Sequence, residues 1–274
     1  MTTNSISTSI RVRARRHPAA VVSLAVFSLG LMIARPGYGN AGQDPAAGSL
    51  RKAYAELQAG MNAWDAAKLG QARDLFLGIV VEGKETGALP ALSVGLADLR
   101  LAIFHLSRSA NTEAERFVAE GESYLGKAMK ADPKSGLAAA LYGYILGLDI
   151  ALHPDQAMGL GVESFSALGL GQTLEPDNPR VHLLRGQYLL YVPEEYGGGA
   201  AAAIESLDKA VGLFEKEKPG DSWRPDWGKD EAYVALGMAL AKTDPTKARS
   251  CFEKALAVNP ALGLAKSELA KLGK

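Results

Sequence analysis

The chain has 274 residues, of which 47% are hydrophobic and 22% charged, with no formal net charge. That hydrophobic content excludes a disordered protein, and a composition rich in alanine and leucine but only 7% aromatic favours helix over sheet. The neutrality is uneven, because residues 1–39 hold five arginines and no acid, leaving 25 basic against 30 acidic residues in the remainder. A mildly acidic body excludes recognition driven by phosphate neutralisation, so no nucleic acid partner is expected.

The first element in the chain is a basic start, Arg11, Arg13, Arg15 and Arg16, followed by Ala19–Ile33 without a charge. Together they predict an export signal over residues 1–39, with small residues at Gly37-Tyr38-Gly39 and a mature chain beginning near Asn40. Fifteen helical residues span about 22 Å, short of a ~30 Å hydrocarbon core, so membrane attachment is expected only through an uncleaved signal. A short linker, residues 40–49, leads to the body. The single cysteine, Cys251, lies far from the signal, so neither a lipid anchor there nor an internal disulfide is expected. Beside Phe252 on a helix it reads as a small core residue.

From about residue 50 onward one pattern recurs: small, three residues, large apolar, two residues, small. Ala72, Phe76 and Ile79 form a loose first copy. Then come Gly121, Leu125 and Ala128; Ser164, Leu168 and Gly171; Ala203, Leu207 and Ala210; and Ala248, Phe252 and Ala255. Spacings of four and three put each trio on one helix face, where the small residues admit a neighbouring helix and the large one fills the gap. Pro133, Pro176 and Pro260 end three of these helices. An earlier helical segment with its own glycine, at Gly60, Gly143, Gly186 and Gly237, precedes most copies, and the segment before the second copy is too irregular to align. Each unit is therefore a helix, a turn and a second helix. The final stretch Ala261–Leu272, with Leu262, Ala265, Leu269 and Leu272 apolar, suits a terminal helix with one wet face.

LGMALAKTDPTKARSCFEKALAVNP resembles a tetratricopeptide repeat (TPR), with Leu236-Gly237 in the first helix, Ala248, Phe252 and Ala255 in the second, and Pro260 closing it. The resemblance extends over the body, 50–274. It implies an all-α protein, an irregular TPR-like α-solenoid of about five helix pairs plus a C-terminal capping helix. Irregularity is expected because ordinary repeats of this family run ~34 residues and these are longer. Residues 190–272 are also similar to a group of exported bacterial TPR proteins, through Pro193, Tyr196, Gly197–Gly199, Pro225, Trp227 and Gly228.

Gly197-Gly198-Gly199 could in principle cradle a phosphate. Such a loop follows a strand and ends Gly-Lys-Ser/Thr, whereas here a helix precedes and Ala200 follows. The glycines are expected instead to make a tight turn within the fourth pair, with Ala203 at the helix seam.

No catalytic constellation is legible, and an enzyme is not expected. The four histidines, His17, His105, His153 and His182, are widely spaced, so no metal site or cofactor is expected. Ser206 and Lys209 match Ser-x-x-Lys on a helix whose Leu207 is core, with no supporting motif. Glu194-Glu195 reads as a solvated rim. In TPR proteins the first helices of successive pairs line a concave surface, and the resemblance places Met61, Trp64, Tyr144, Arg180, Gln187, Tyr191 and Met238 on it. The same spacing also suits core packing. The carboxylate-clamping Asn/Lys/Arg set of chaperone-tail-binding TPRs is missing. Trp223 and Trp227, in a proline-containing loop, either pack over a repeat junction or mark a contact site.

These readings converge on an exported, periplasmic or secreted bacterial protein that binds or scaffolds a protein or peptide partner without catalysis. The alternative is a periplasmic accessory of solute uptake, similar to the TPR subunits associated with TRAP-type transporters, binding a small apolar ligand.

Overall fold

The computed structural model describes residues 45–81, 88–218 and 226–273. Among the described residues the secondary structure is entirely helical. Eleven α-helices follow one another: α1 (Pro45–Ala63), α2 (Ala66–Val81), α3 (Ala88–Leu106), α4 (Asn111–Ala131), α5 (Gly136–Leu152), α6 (Ala157–Leu174), α7 (Pro179–Leu189), α8 (Gly199–Lys216), α9 (Lys229–Leu240), α10 (Pro245–Val258) and α11 (Gly263–Leu272). The first helix begins ahead of residue 50, where the repeat pattern starts.

Local chemistry sets the helix ends. Asp132, Glu175 and Asn259 each precede a proline and each leave their helix with a non-helical backbone, φ −134°, −132° and −132°. Proline's ring disfavours the helical region for the residue before it. Side-chain caps start α5, α7 and α10, as Ser135 accepts from Ala138 N, Asn178 from Arg180 N and Asp244 from Lys247 N.

Consecutive helices pack as hairpins, α1 with α2 through α9 with α10, and α11 covers α10. The odd-numbered helices also pack in series, α3 on α5, α5 on α7 and α7 on α9. α3, α5, α7 and α9 form an inner tier with stretches buried all round: α9 is buried from Ala232 to Gly237, and α3 from Ser93 to Ala102. A helix that is apolar on every side needs neighbours on every side. This accounts for α3, which by length and composition alone could cross a membrane but is 67% buried among its neighbours. Of the even-numbered helices α4, α8 and α10 are amphipathic and bury a single stripe, such as Ala248, Cys251, Phe252 and Ala255 on α10. Ion pairs tie the outer tier: Lys247 to Asp208 at 3.1 Å and Lys254 to Glu215 at 3.2 Å join α10 to α8. Arg73 on α2 joins both Asp98 on α3 and Glu120 on α4.

Every trio of the repeat pattern is buried, and in four of the five its large member faces a glycine of the inner helix. A Cβ added at Gly143, Gly186 or Gly237 would lie 2.9, 2.5 and 2.5 Å from Leu168, Leu207 and Phe252. Gly95 on α3 stands in the same relation to Leu125, at 2.5 Å, which supplies the glycine of the irregular second pair. The first pair departs from this register, since Gly60 faces Leu69 and not Phe76. Each of these large residues is fully buried, and such burial stabilises by roughly 1.5–3 kcal/mol per side chain.

The three-glycine turn joins α7 to α8. Gly197 and Gly199 have φ of 83° and 89°, in the left-handed region that favours glycine. Gly198 lies so close to the Val192 backbone that no side chain fits. Ala203 is fully buried at the seam, and Glu194 and Glu195 are exposed. Burial raises the Cys251 thiol above its ordinary pKa, which keeps it a thiol.

Candidate functional site

The inner tier brings together residues from α3, α5, α7 and α9. Arg100 on α3 and Glu231 on α9 meet in a two-pronged ion pair, with Nη1 donating to Oε2 at 2.9 Å and Nη2 lying 2.8 Å from Oε1. They are 131 residues apart in the chain. The Arg100 guanidinium lies 4.8 Å from the centre of the buried Trp227 ring, and Arg180 lies 5.6 Å from it. Both contacts are within cation–π range. Arg180 also donates to Glu217 at 2.6 Å, reaches Asp226 at 3.5 Å, and lies 5.3 Å from the Phe214 ring. Gly228, at φ 101°, turns the chain into α9 against Leu183 and Phe214.

Tyr144 on α5 lies beside this cluster. Burial raises its phenol above the ordinary value, Tyr191 and Glu231 push the same way, and Arg100 opposes them. The phenol therefore stays protonated and acts as a neutral hydrogen-bonding group. Tyr191, just past α7, is 76% exposed, and Gln187, four residues earlier, is half-buried.

Four of the nine sequence-predicted residues, Tyr144, Arg180, Tyr191 and Trp227, thus share one neighbourhood. Trp227 packs, in keeping with the packing alternative for that tryptophan. Trp223 lies outside the described residues. Met61 and Met238 are half-buried against the core and belong to other parts of the inner tier. Trp64 stands elsewhere, at the end of α1, with its ring 5.8 Å from Phe104. Sequence reasoning missed Arg100 and Glu231. The available signal was Asp98 and Arg100 in the otherwise apolar run GLADLRLAIF, since charges in an apolar helix need buried partners. Asp98 finds one in Arg73; burial still pushes its carboxyl up to about 7, with Arg73 opposing.

A second concavity, of about 270 Å³, is lined by Gln172, Pro176, His182, Glu205, Ser206 and Lys209. It places Ser206 and Lys209 beside an imidazole, the arrangement a hydrolytic nucleophile would need. The imidazole is already committed. Its Nε2 faces the Pro176 carbonyl at 2.8 Å and must donate to it, so Nδ1 accepts from Gln172 at 3.0 Å. Burial lowers the His182 pKa below its ordinary value. With both nitrogens engaged, His182 has no lone pair left to take a proton from Ser206.

Among the described residues these features define an all-helical protein of packed helical hairpins. No protein-family profile and no curated protein matches the sequence. Among solved structures the chain is similar to one described as the HusA haemophore from Porphyromonas gingivalis, at 23% identity and a TM-score of 0.61, covering 75% of this chain and 97% of that one. The likeness is one of fold.

Proposed function

We propose that this chain is an exported, non-catalytic binding protein, a TPR-like solenoid that carries a small ligand. One observation weighs most. Arg100 and Glu231 join α3 to α9 across the inner face, where a solenoid scaffold would lay an extended peptide. Trp227 between two guanidiniums fills the adjoining space. An inner face filled in this way argues against the protein-scaffold alternative. The serial packing of the odd-numbered helices and the glycine–large residue seams support the solenoid reading. The basic, then apolar, start supports export to the periplasm or medium. The fold neighbour, described as a haemophore, supports a carrier role over a catalytic one.

Native mass spectrometry of the exported chain, purified without denaturant, tests the reading. A mass in excess of the chain that disappears on denaturation is the expected result. A bare chain that co-purifies with a stoichiometric polypeptide would overturn it in favour of a scaffold.

A further inference from the structure

Two non-glycine residues have left-handed backbone among the described residues, Trp64 at φ 51° and Ser109 at φ 57°. Both end an inner helix, and both adopt the same closing motif. Asp65 N donates to Gly60 O at 3.0 Å after α1, and Ala110 N donates to His105 O at 3.0 Å after α3. The residue at this position is ordinarily glycine, because a side chain there costs roughly 1–2 kcal/mol. A tryptophan is about the least suited choice. It persists as a residue 37% exposed, at the start of a run of four rings. Trp64 lies 5.8 Å from Phe104, Phe104 lies 5.5 Å from His105, and His105 lies 5.5 Å from Phe117.

Two polar side chains of this surface, His105 and Arg108, have no charged partner among the described residues. His182 and His153 both have hydrogen-bond partners, whereas the ring nitrogens of half-exposed His105 have none among the described residues. Arg108 lies 3.6 Å from the Phe104 ring centre and donates only to the Phe104 carbonyl and Ser107 Oγ, with no carboxylate partner among the described residues. Arg116 lies over Phe117 at 3.9 Å and is shared with Glu120. The Asp65 carboxylate, beside Trp64, is spent on capping α2 through Ala67 N at 2.8 Å.

From this geometry we infer that the end of the molecule formed by Trp64, Phe104, His105 and Arg108 binds a planar, anionic metalloporphyrin of the haem class. The inference rests on the small-ligand reading above and names its ligand and place. Aromatic faces supply stacking area to a flat macrocycle. Arg108 offers an unpaired fork to a propionate carboxylate. The free imidazole is a haem-iron ligand of an ordinary kind.

The test titrates the exported chain with haemin and with iron-free protoporphyrin, following the absorbance of each macrocycle and quenching of tryptophan fluorescence. His105→Ala is expected to weaken haemin roughly tenfold or more and to alter the spectrum of the bound iron, with protoporphyrin affinity held. Trp64→Gly relieves the left-handed strain, so its melting temperature is expected to hold or rise while both macrocycles bind roughly tenfold more weakly. Arg108→Ala is expected to weaken both. Wild-type binding that all three variants retain in full would overturn this placement and leave the small-ligand reading standing. A wild-type chain that binds neither macrocycle would overturn the haem class, and a bound mass seen by native spectrometry would then still uphold the small-ligand reading.

Discussion

Gly186→Ala places one methyl group where α7 crosses α8, and its cost follows from the neighbours. The new Cβ would stand 2.5 Å from Leu207 Cγ, 2.7 Å from Cδ2 and 3.3 Å from the Leu207 nitrogen. Leu207 is fully buried, so its side chain has to shift within packed surroundings. Overpacking of this kind costs about 1–3 kcal/mol, and alanine's better helix propensity returns about 0.8–1 kcal/mol, so a net loss of up to about 2 kcal/mol is expected. Leu207→Ala alone is expected to cost about 2–5 kcal/mol through lost burial and a cavity. It also removes the two clashing atoms, so in that background Gly186→Ala becomes neutral or stabilising. The double variant is therefore expected to be about 1–3 kcal/mol more stable than the sum of the single effects. Gly212→Ala, on α8 with nothing within 4 Å of its would-be Cβ, is the control and should stabilise by about 0.5–1 kcal/mol. Urea denaturation followed by far-ultraviolet circular dichroism reads all four proteins. Additivity within about 0.5 kcal/mol, or a Gly186→Ala protein as stable as Gly212→Ala, would refute the seam as described.

Two further perturbations probe the interior. Trp227→Ala removes a buried ring flanked by two guanidiniums and is expected to cost about 3–5 kcal/mol, read as a lower thermal midpoint; unchanged melting with lost ligand binding would make Trp227 a contact residue instead. Glu122 on α4 has a buried Oε1 without a hydrogen-bond partner, and its carboxyl is pushed up to about 7, first by burial and then by Asp149 and Glu163, with His153 opposing. A carboxyl whose folded pKa is raised favours the folded state while protonated, so its destabilising effect grows as pH rises from about 4.5 to 7. Glu122→Gln is therefore expected to stabilise by about 1 kcal/mol at pH 8, after allowance for solvent screening, and by almost nothing near pH 4.5. Thermal melts of both proteins across this range measure the difference, and a constant gap would count against the assignment.

Much of the helical organisation could be read locally. Spacings of four and three mark one helix face wherever they occur, so the trios ending at Ala128, Gly171, Ala210 and Ala255 identified outer helices from periodicity alone. Proline after Asp132, Glu175 and Asn259 fixed where those helices stop, because its steric effect reaches only one residue back. The terminal helix was legible for the same reason, from its single apolar stripe. Gly95 was not, because its role depends on Leu125, which lies on the partner helix and not in its own periodic pattern.

The candidate sites belong to the other category. Arg100 and Glu231 meet only because the folded chain brings α3 to α9, and no short window of sequence contains that contact. His105 is one of four scattered histidines in the sequence. It stands out only once the folded chain has given His153 and His182 their partners and set two phenyl rings beside it. Which helices form, and which face each one buries, the sequence determined by itself, because periodicity and capping act over a few residues. Which charges are paired, which aromatic rings stay exposed and where a ligand can lie were decided by the tertiary structure, because burial and pairing depend on residues distant in the chain.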